Sequence, residues 1–164
     1  MHAEALEWVS RFGTDEPVQV LDLGGRYING TPRHLFPNAE YLVLDIEDGS
    51  MVDIVADAAT WDPGPLSFDI VVCCEVCEHT QVWPAILETA CLALRPGGRM
   101  ILTTAGPGRP EHSGLDGMHL RDGEHYANIY PGALYDALKL AGFQLITIDV
   151  LGYDVRATAI KPEE

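Results

Sequence analysis

The run Val20-Leu21-Asp22-Leu23-Gly24-Gly25 constrains this chain more than any other stretch: an apolar segment of buried-strand length that ends in an acid and two glycines. A strand opening into so tight a turn brings bare backbone close to a ligand, because glycines remove the side chains that hold it off. A second apolar run, 40–45, closes on Asp45, at about the twenty-residue offset where nucleotide-binding folds place an acid for ribose hydroxyls.

The rest of the chain alternates in the same way. Leu6, Trp8, Val9 and Phe12 space as a short amphipathic helix, stopped by Gly13 and the turn-forming Thr14-Asp15-Glu16-Pro17. Strands are expected over 18–23, 40–45, 53–56, 69–74 and 99–104, mostly Val/Ile/Leu runs. A helix over 82–94 is stopped by Pro96-Gly97-Gly98, and a last helix runs over 131–140 between Pro131 and Gly142. The segments 144–150 and 155–160, joined by Gly152-Tyr153, read as an antiparallel pair.

This order predicts one α/β domain over residues 1–164, a Rossmann-like sandwich with a mostly parallel seven-stranded sheet and an antiparallel C-terminal hairpin. Crossover helices are reduced, since 47–52 and 57–67 are too short or too broken by Pro and Gly to form them. A sheet edge so thinly covered invites a second subunit, and a homodimer is expected. At 47% hydrophobic residues, 164 residues suffice for one real core.

A formal charge of −15 disfavours a nucleic-acid partner, which would need a basic patch that the sequence lacks. No stretch reaches the ~20 apolar residues of a membrane span, and the first residues lack a signal-peptide pattern, so a cytoplasmic protein is expected with no membrane partner. Cys73, Cys74, Cys77 and Cys91 form no disulfide framework, because the first two fall inside an apolar strand. A zinc reading would recruit Cys74, Cys77 and His79, but adjacent strand residues point to opposite faces and no second ligand pair follows. These cysteines are read as core thiols.

Taken in order, the motifs resemble the class I S-adenosylmethionine-dependent methyltransferases, particularly the small bacterial group called methyltransferase type 11. They are Val20 to Gly25, Asp45, Ala56-Asp57-Ala58, Phe68-Asp69-Ile70-Val71-Val72, Glu75-Val76-Cys77-Glu78-His79, Leu94-Arg95-Pro96-Gly97-Gly98-Arg99, Tyr130 to Leu134 and Ala141-Gly142-Phe143. The resemblance implies S-adenosylmethionine as cofactor. It puts Asp22, Gly24 and Gly25 at the methionine end of the turn, Asp45 on the ribose, Ile46, Asp57 and Ala58 around the adenine, and Glu75 beside the methionine. Trp61 is a further candidate wall for the ring. One residue departs from the pattern: Arg26 stands where the middle glycine of the loop is expected.

A sulfonium methyl is already activated, so such an enzyme mainly aligns its acceptor. The implied reaction is in-line transfer to a small-molecule or sugar hydroxyl. For a hydroxyl acceptor a general base helps, and His79 ranks first, with His112 second and His119 and His125 behind. The segment 105–130 has no clear secondary structure and reads as an acceptor-site loop or lid. Its His112, Asp116, His119, Asp122, Glu124 and His125 show no ligand spacing, so no metal is assigned. Two other classes compete: a non-catalytic cofactor-binding or interaction module, motivated by Arg26, and a nicotinamide oxidoreductase, which shares the acid of the second strand.

Overall fold

The computed structural model describes residues 2–65 and 67–163. Helix α1 (Ala3–Val9) continues as a 3-10 turn to Phe12, and then β1 (Gln19–Leu23), β2 (Glu40–Asp45), the short β3 (Ile54–Val55) and β4 (Phe68–Cys74) follow. Helix α2 (Trp83–Ala93), β5 (Leu94–Ala105), α3 (Pro131–Leu140), β6 (Gln144–Leu151) and β7 (Asp154–Ile160) complete the chain. The strands form one sheet in the order β3-β2-β1-β4-β5-β7-β6. β1 through β5 are parallel, and β7 inserts antiparallel between β5 and β6. The expected terminal hairpin is therefore present, but its second strand, not its first, meets the parallel sheet.

Strand alternation divides the core in two. Leu21, Leu23, Val71, Cys73, Met100 and Leu102 face Leu87 and Ala90 of α2 and Leu134 and Leu138 of α3. Val20, Val43, Ile70, Val72 and Ile101 face Trp8 and Val9 of α1, together with Phe36. Residues 46–53 and 56–67 contain no described helix, as their length and glycine–proline content predict. Trp61 packs against the α2/α3 side of the core, filling a place a crossover helix would otherwise cover. No described helix is long and apolar enough to cross a membrane.

One boundary differs from the sequence reading. The chain enters β5 directly at Leu94, whose extended backbone ends α2, and Leu94 pairs with Phe68. The pairing then shifts to Ile70 with Arg99, so Arg95-Pro96-Gly97-Gly98 bulges out of the strand instead of preceding it. Gly97 supplies the left-handed conformation (φ 76°), and Arg95 Nη1 ties the bulge to Asp69 Oδ1 at 2.5 Å.

Candidate active site

The strand order reverses at β1, which has β2 on one side and β4 on the other. Open α/β sheets bind ligands beyond the carboxyl ends of strands at such a point. Here the carboxyl ends of β1, β2 and β4 open into a cleft of about 1050 Å³, roofed by the 105–130 loop.

The turn after β1 builds one wall. Gly24 has φ 75°, and a Cβ there would lie 2.3 Å from Val76 Cγ2. Its N–H donates to the Leu44 carbonyl at 2.7 Å, which fastens the turn to β2. Asp22 lies beneath the turn, 2% exposed, where the Tyr41 hydroxyl donates to Oδ2 at 2.8 Å. A Cβ on Gly25 would strike that carboxylate at 2.5 Å, so Gly25 is the lid over Asp22. Asp22, Gly24 and Gly25 border a separate void of about 30 Å³, and of the three Gly24 also lines the cleft.

Asp45 ends β2 at the cleft. Its Oδ2 accepts the Arg26 backbone N–H at 3.1 Å and its Oδ1 that of Glu47 at 3.0 Å. The Arg26 side chain turns across the cleft, with Nε 3.9 Å from Asp45 Oδ1 and Nη2 donating to the Leu115 carbonyl at 3.2 Å. The residue that breaks the glycine pattern thus joins the β2 carboxylate to the loop. Ile46, 65% exposed, Asp57 and Ala58 line the same side, while Asp57 Oδ1 caps the following turn through the Ala59 N–H at 2.9 Å. Trp61 is not among the lining residues.

At the end of β4, Glu75 takes φ 59°, a left-handed conformation that non-glycine residues adopt mainly where surroundings enforce it. Thr103 enforces it twice, its carbonyl accepting the Glu75 N–H and its hydroxyl donating to Oε1, both at 2.9 Å. Oε2 faces His2 Nε2 at 3.2 Å and Arg109 Nη2 at 3.6 Å. Burial pushes the Glu75 carboxyl up, but the His2 contact, Thr103 and Arg109 outweigh it and hold the group below its ordinary value. His2 is raised in return, chiefly by Glu75. Asp154 completes this network, bonded to Arg109 at 2.6 Å and to Arg156 at 3.2 Å.

His79 and His112 come together as a pair. The ring centroids are 5.0 Å apart and nearly perpendicular, and Tyr126 stands edge-on to both at 5.6 and 4.9 Å. Helix α2 is capped by neither ring, since its N-cap is Val82 with no side-chain cap. Burial, and then His112, lower the His79 pKa to about 4, so its imidazole is neutral near pH 7. Burial, helped by the Glu75 charge, lifts the adjacent Glu78 to about 8. His119 and His125 also line the cleft. Cys73 and Cys77 are free and buried, as core thiols should be.

His2, Arg109 and Asp154 carried no sequence signal. They reach the site from α1, the loop and β7, so only the folded topology joins them. The motif holding Glu75 and Glu78 was visible, but the partners that set the two buried acids apart, His2, Thr103 and Arg109 around Glu75, were not.

Asp22 yields a testable consequence. Burial pushes its carboxyl up to about 6, against the partial relief of the Tyr41 hydrogen bond. An acid whose folded-state pKa exceeds its unfolded value of about 4 contributes stability that is complete below about pH 4 and is lost as pH rises through the folded value. That contribution amounts to about 3 kcal/mol. Asp22→Asn keeps an acceptor for Tyr41 and cannot ionise. Urea unfolding at intervals from pH 4 to pH 7 should show the variant gaining about 3 kcal/mol relative to the wild type. A constant difference across that range would contradict the assignment.

Comparisons with known proteins agree with this geometry. Residues 1–148 match the family model described as a methyltransferase domain. A ubiquinone biosynthesis O-methyltransferase of Idiomarina loihiensis is 36% identical over 61 residues, which is 36% of this chain and 25% of that protein. The chain thus spans a quarter of the length of this curated relative. Among solved structures, a 1,6-didemethyltoxoflavin-N1-methyltransferase of Burkholderia thailandensis, with 1,6-didemethyltoxoflavin and S-adenosylhomocysteine bound, superposes with TM-score 0.73 at 16% identity, covering 96% of this chain and 78% of that one. An S-adenosylmethionine dependent methyltransferase from Mesorhizobium loti gives 0.69 at 18% identity, covering 95% and 98%. At such identities these structures show a shared fold, and the family match goes further: this chain belongs to the methyltransferase domain family.

Proposed function

We propose that the cleft binds S-adenosylmethionine and that the protein transfers its methyl group in line to a hydroxyl of a small-molecule or sugar acceptor held under the 105–130 loop. One observation carries this reading: Gly24, Asp45 and Glu75, from three different strand ends, line the same cleft as the His79–His112 pair. The residues present fit the cofactor. Gly24 turns bare backbone toward the cleft, while Val76 packs where its side chain would otherwise stand. Asp45 offers a carboxylate for the ribose hydroxyls, Ile46, Asp57 and Ala58 border the adenine place, and Glu75 meets the methionine end. Asp22 and Gly25 support the turn from beneath.

The bound sulfonium supplies an activated methyl group, so the protein contributes alignment, which can be worth roughly 7–11 kcal/mol. His79 and His112 are the side chains assigned to the acceptor's hydroxyl and its proton, with Tyr126 as an aromatic wall. A homodimer closing on the two-residue β3 edge, where Val55 is exposed, belongs to the same proposal.

Asp45→Ala tests the ribose assignment. The variant should lose about 1.5–3 kcal/mol of cofactor binding, a 10- to 150-fold weaker dissociation constant by calorimetry. An unchanged constant would refute it. A second reading, a cofactor-binding module without catalysis, draws on Arg26, whose guanidinium competes for the Asp45 carboxylate at 3.9 Å. Turnover of any hydroxyl acceptor rules against that reading.

A further inference from the structure

The turn after β4 groups three side chains in a way that alignment of a methyl acceptor does not require. Glu78, His79 and His112 place a carboxylate oxygen and two ring nitrogens within 4.8 Å of one another. Glu78 and His79 belong to the 3-10 turn Cys77–His79, whereas His112 arrives from the roofing loop.

Each member is prepared to give a lone pair. His112 Nδ1 lies 3.2 Å from the Pro110 carbonyl, which can only accept, so Nδ1 is the donor there and Nε2 is the nitrogen left for a ligand. His79 Nδ1 is buried and makes no hydrogen bond. Glu78 is 0% exposed and fixed from behind, with the Thr104 hydroxyl donating to Oε2 at 2.8 Å and the Ala105 N–H to Oε1 at 3.2 Å. These partners orient the carboxylate as outer-shell groups orient a metal ligand.

A second group of similar composition shows what is missing. His2, Glu75 and Asp154 meet the same distance limit, but Arg109 and Arg156 already bond to Asp154 there. Among the described residues, no lysine or arginine pairs with Glu78. Burial keeps the Glu78 carboxyl from ionising readily, and a cation joining it to the two imidazoles would supply the missing counter-charge.

We propose that Glu78, His79 and His112 form a site for a divalent first-row metal ion, open toward the cleft. The inference rests on the functional reading above and specifies how the hydroxyl proton is handled. An oxygen bound to such an ion loses its proton far more readily than a free hydroxyl, so the imidazoles would hold the ion, the released proton would pass to solvent through the cleft, and the oxygen would take the methyl group as the sulfonium leaves as a neutral thioether. Two imidazoles and one carboxylate suit Zn²⁺, Co²⁺ or Mn²⁺ better than Mg²⁺, which favours all-oxygen surroundings. With bonds of about 2.0–2.2 Å, ligand atoms sharing an ion stand about 3–4 Å apart, which small side-chain rotations achieve.

The test is titration of chelator-dialysed protein with Co²⁺, followed by visible absorption and calorimetry without cofactor or acceptor. The expected result is one ion per chain, with affinity at least tenfold weaker in Glu78→Gln and in His112→Ala. Because Glu78 is buried, its variant can fail to fold, and the His112 variant on the loop then decides, with circular dichroism confirming its fold. Absence of Co²⁺ absorption at millimolar metal overturns the site, as does binding that His112→Ala leaves unchanged. S-adenosylmethionine is titrated separately into the metal-free protein: a chain that binds the cofactor and not Co²⁺ loses only the metal site, and the converse loses only the cofactor reading.

Discussion

Replacing His79 by alanine should lower turnover by about 10²–10⁴-fold while leaving the cofactor dissociation constant nearly unchanged. The separation of effects follows from where the ring sits. His79 touches His112 and Tyr126 and comes close to Gly114, whose Cβ would lie 3.0 Å from the His79 ring, so its environment is the 105–130 loop, under which the acceptor is proposed to bind. Asp45 and Gly24 line the part of the cleft proposed for the cofactor and hydrogen-bond within the β1–β2 edge, making no bond to His79. The same loss is expected whether the imidazole takes the proton itself or holds the ion that acidifies the acceptor; the Co²⁺ titration separates those roles. S-adenosylhomocysteine formation by mass spectrometry, with an acceptor the wild type turns over, gives the rate, and calorimetry gives the constant. Full activity in His79→Ala would remove the residue from the chemistry. A matching fall in cofactor affinity would show that the ring supports the fold of the cleft instead.

The second large effect is expected at Gly24. An alanine there must adopt φ 75° and place its Cβ 2.3 Å from Val76 Cγ2. The left-handed backbone costs about 1–2 kcal/mol for a non-glycine residue. Displacing Val76 adds about 1–3 kcal/mol of overpacking. Gly24→Ala should therefore lower unfolding free energy by about 2–5 kcal/mol and weaken cofactor binding more than tenfold, since the turn moves when Val76 does. Gly152→Ala provides the contrast. It has φ 62° with nothing within 4 Å of the added Cβ, so it carries the backbone cost alone, about 1–2 kcal/mol. Urea unfolding of the two variants side by side measures the steric part. Equal destabilisation, with cofactor affinity intact in Gly24→Ala, would mean the turn tolerates a side chain.

Sequence patterns revealed those parts of the fold in which local order and burial coincide. The second strand, 40–45, and the last helix, 131–140, have the ends their residues predict, because an acid, a proline or a glycine marks each boundary. The Pro96-Gly97-Gly98 stop was legible as the end of α2 but not as a bulge inside β5, because its pairing with β4 is a tertiary fact. Strand order within the C-terminal pair was hidden for the same reason: hairpin signals state that two strands pair, not which one meets β5.

The candidate site divides along the same line. Gly24, Asp45, Ile46, Asp57, Ala58, Glu75, His79 and His112 all line one cleft, as their places after strand ends suggested. The burial of Asp22 under Gly25 was not readable, because it depends on Tyr41 reaching across from the neighbouring strand. Arg26 stood out only as a missing glycine. Its bridge from Asp45 to Leu115 joins residues far apart in sequence and ties the loop to the carboxylate that ends β2. His2 and Arg109 likewise meet Glu75 through packing alone.

Calorimetric titration of the chelator-dialysed wild-type chain with S-adenosylmethionine tests the central claim most directly. One saturable site per chain is expected, competed by S-adenosylhomocysteine and weakened at least tenfold in Asp45→Ala. Absence of any binding heat at millimolar S-adenosylmethionine, in protein whose cooperative unfolding shows it is native, would contradict it.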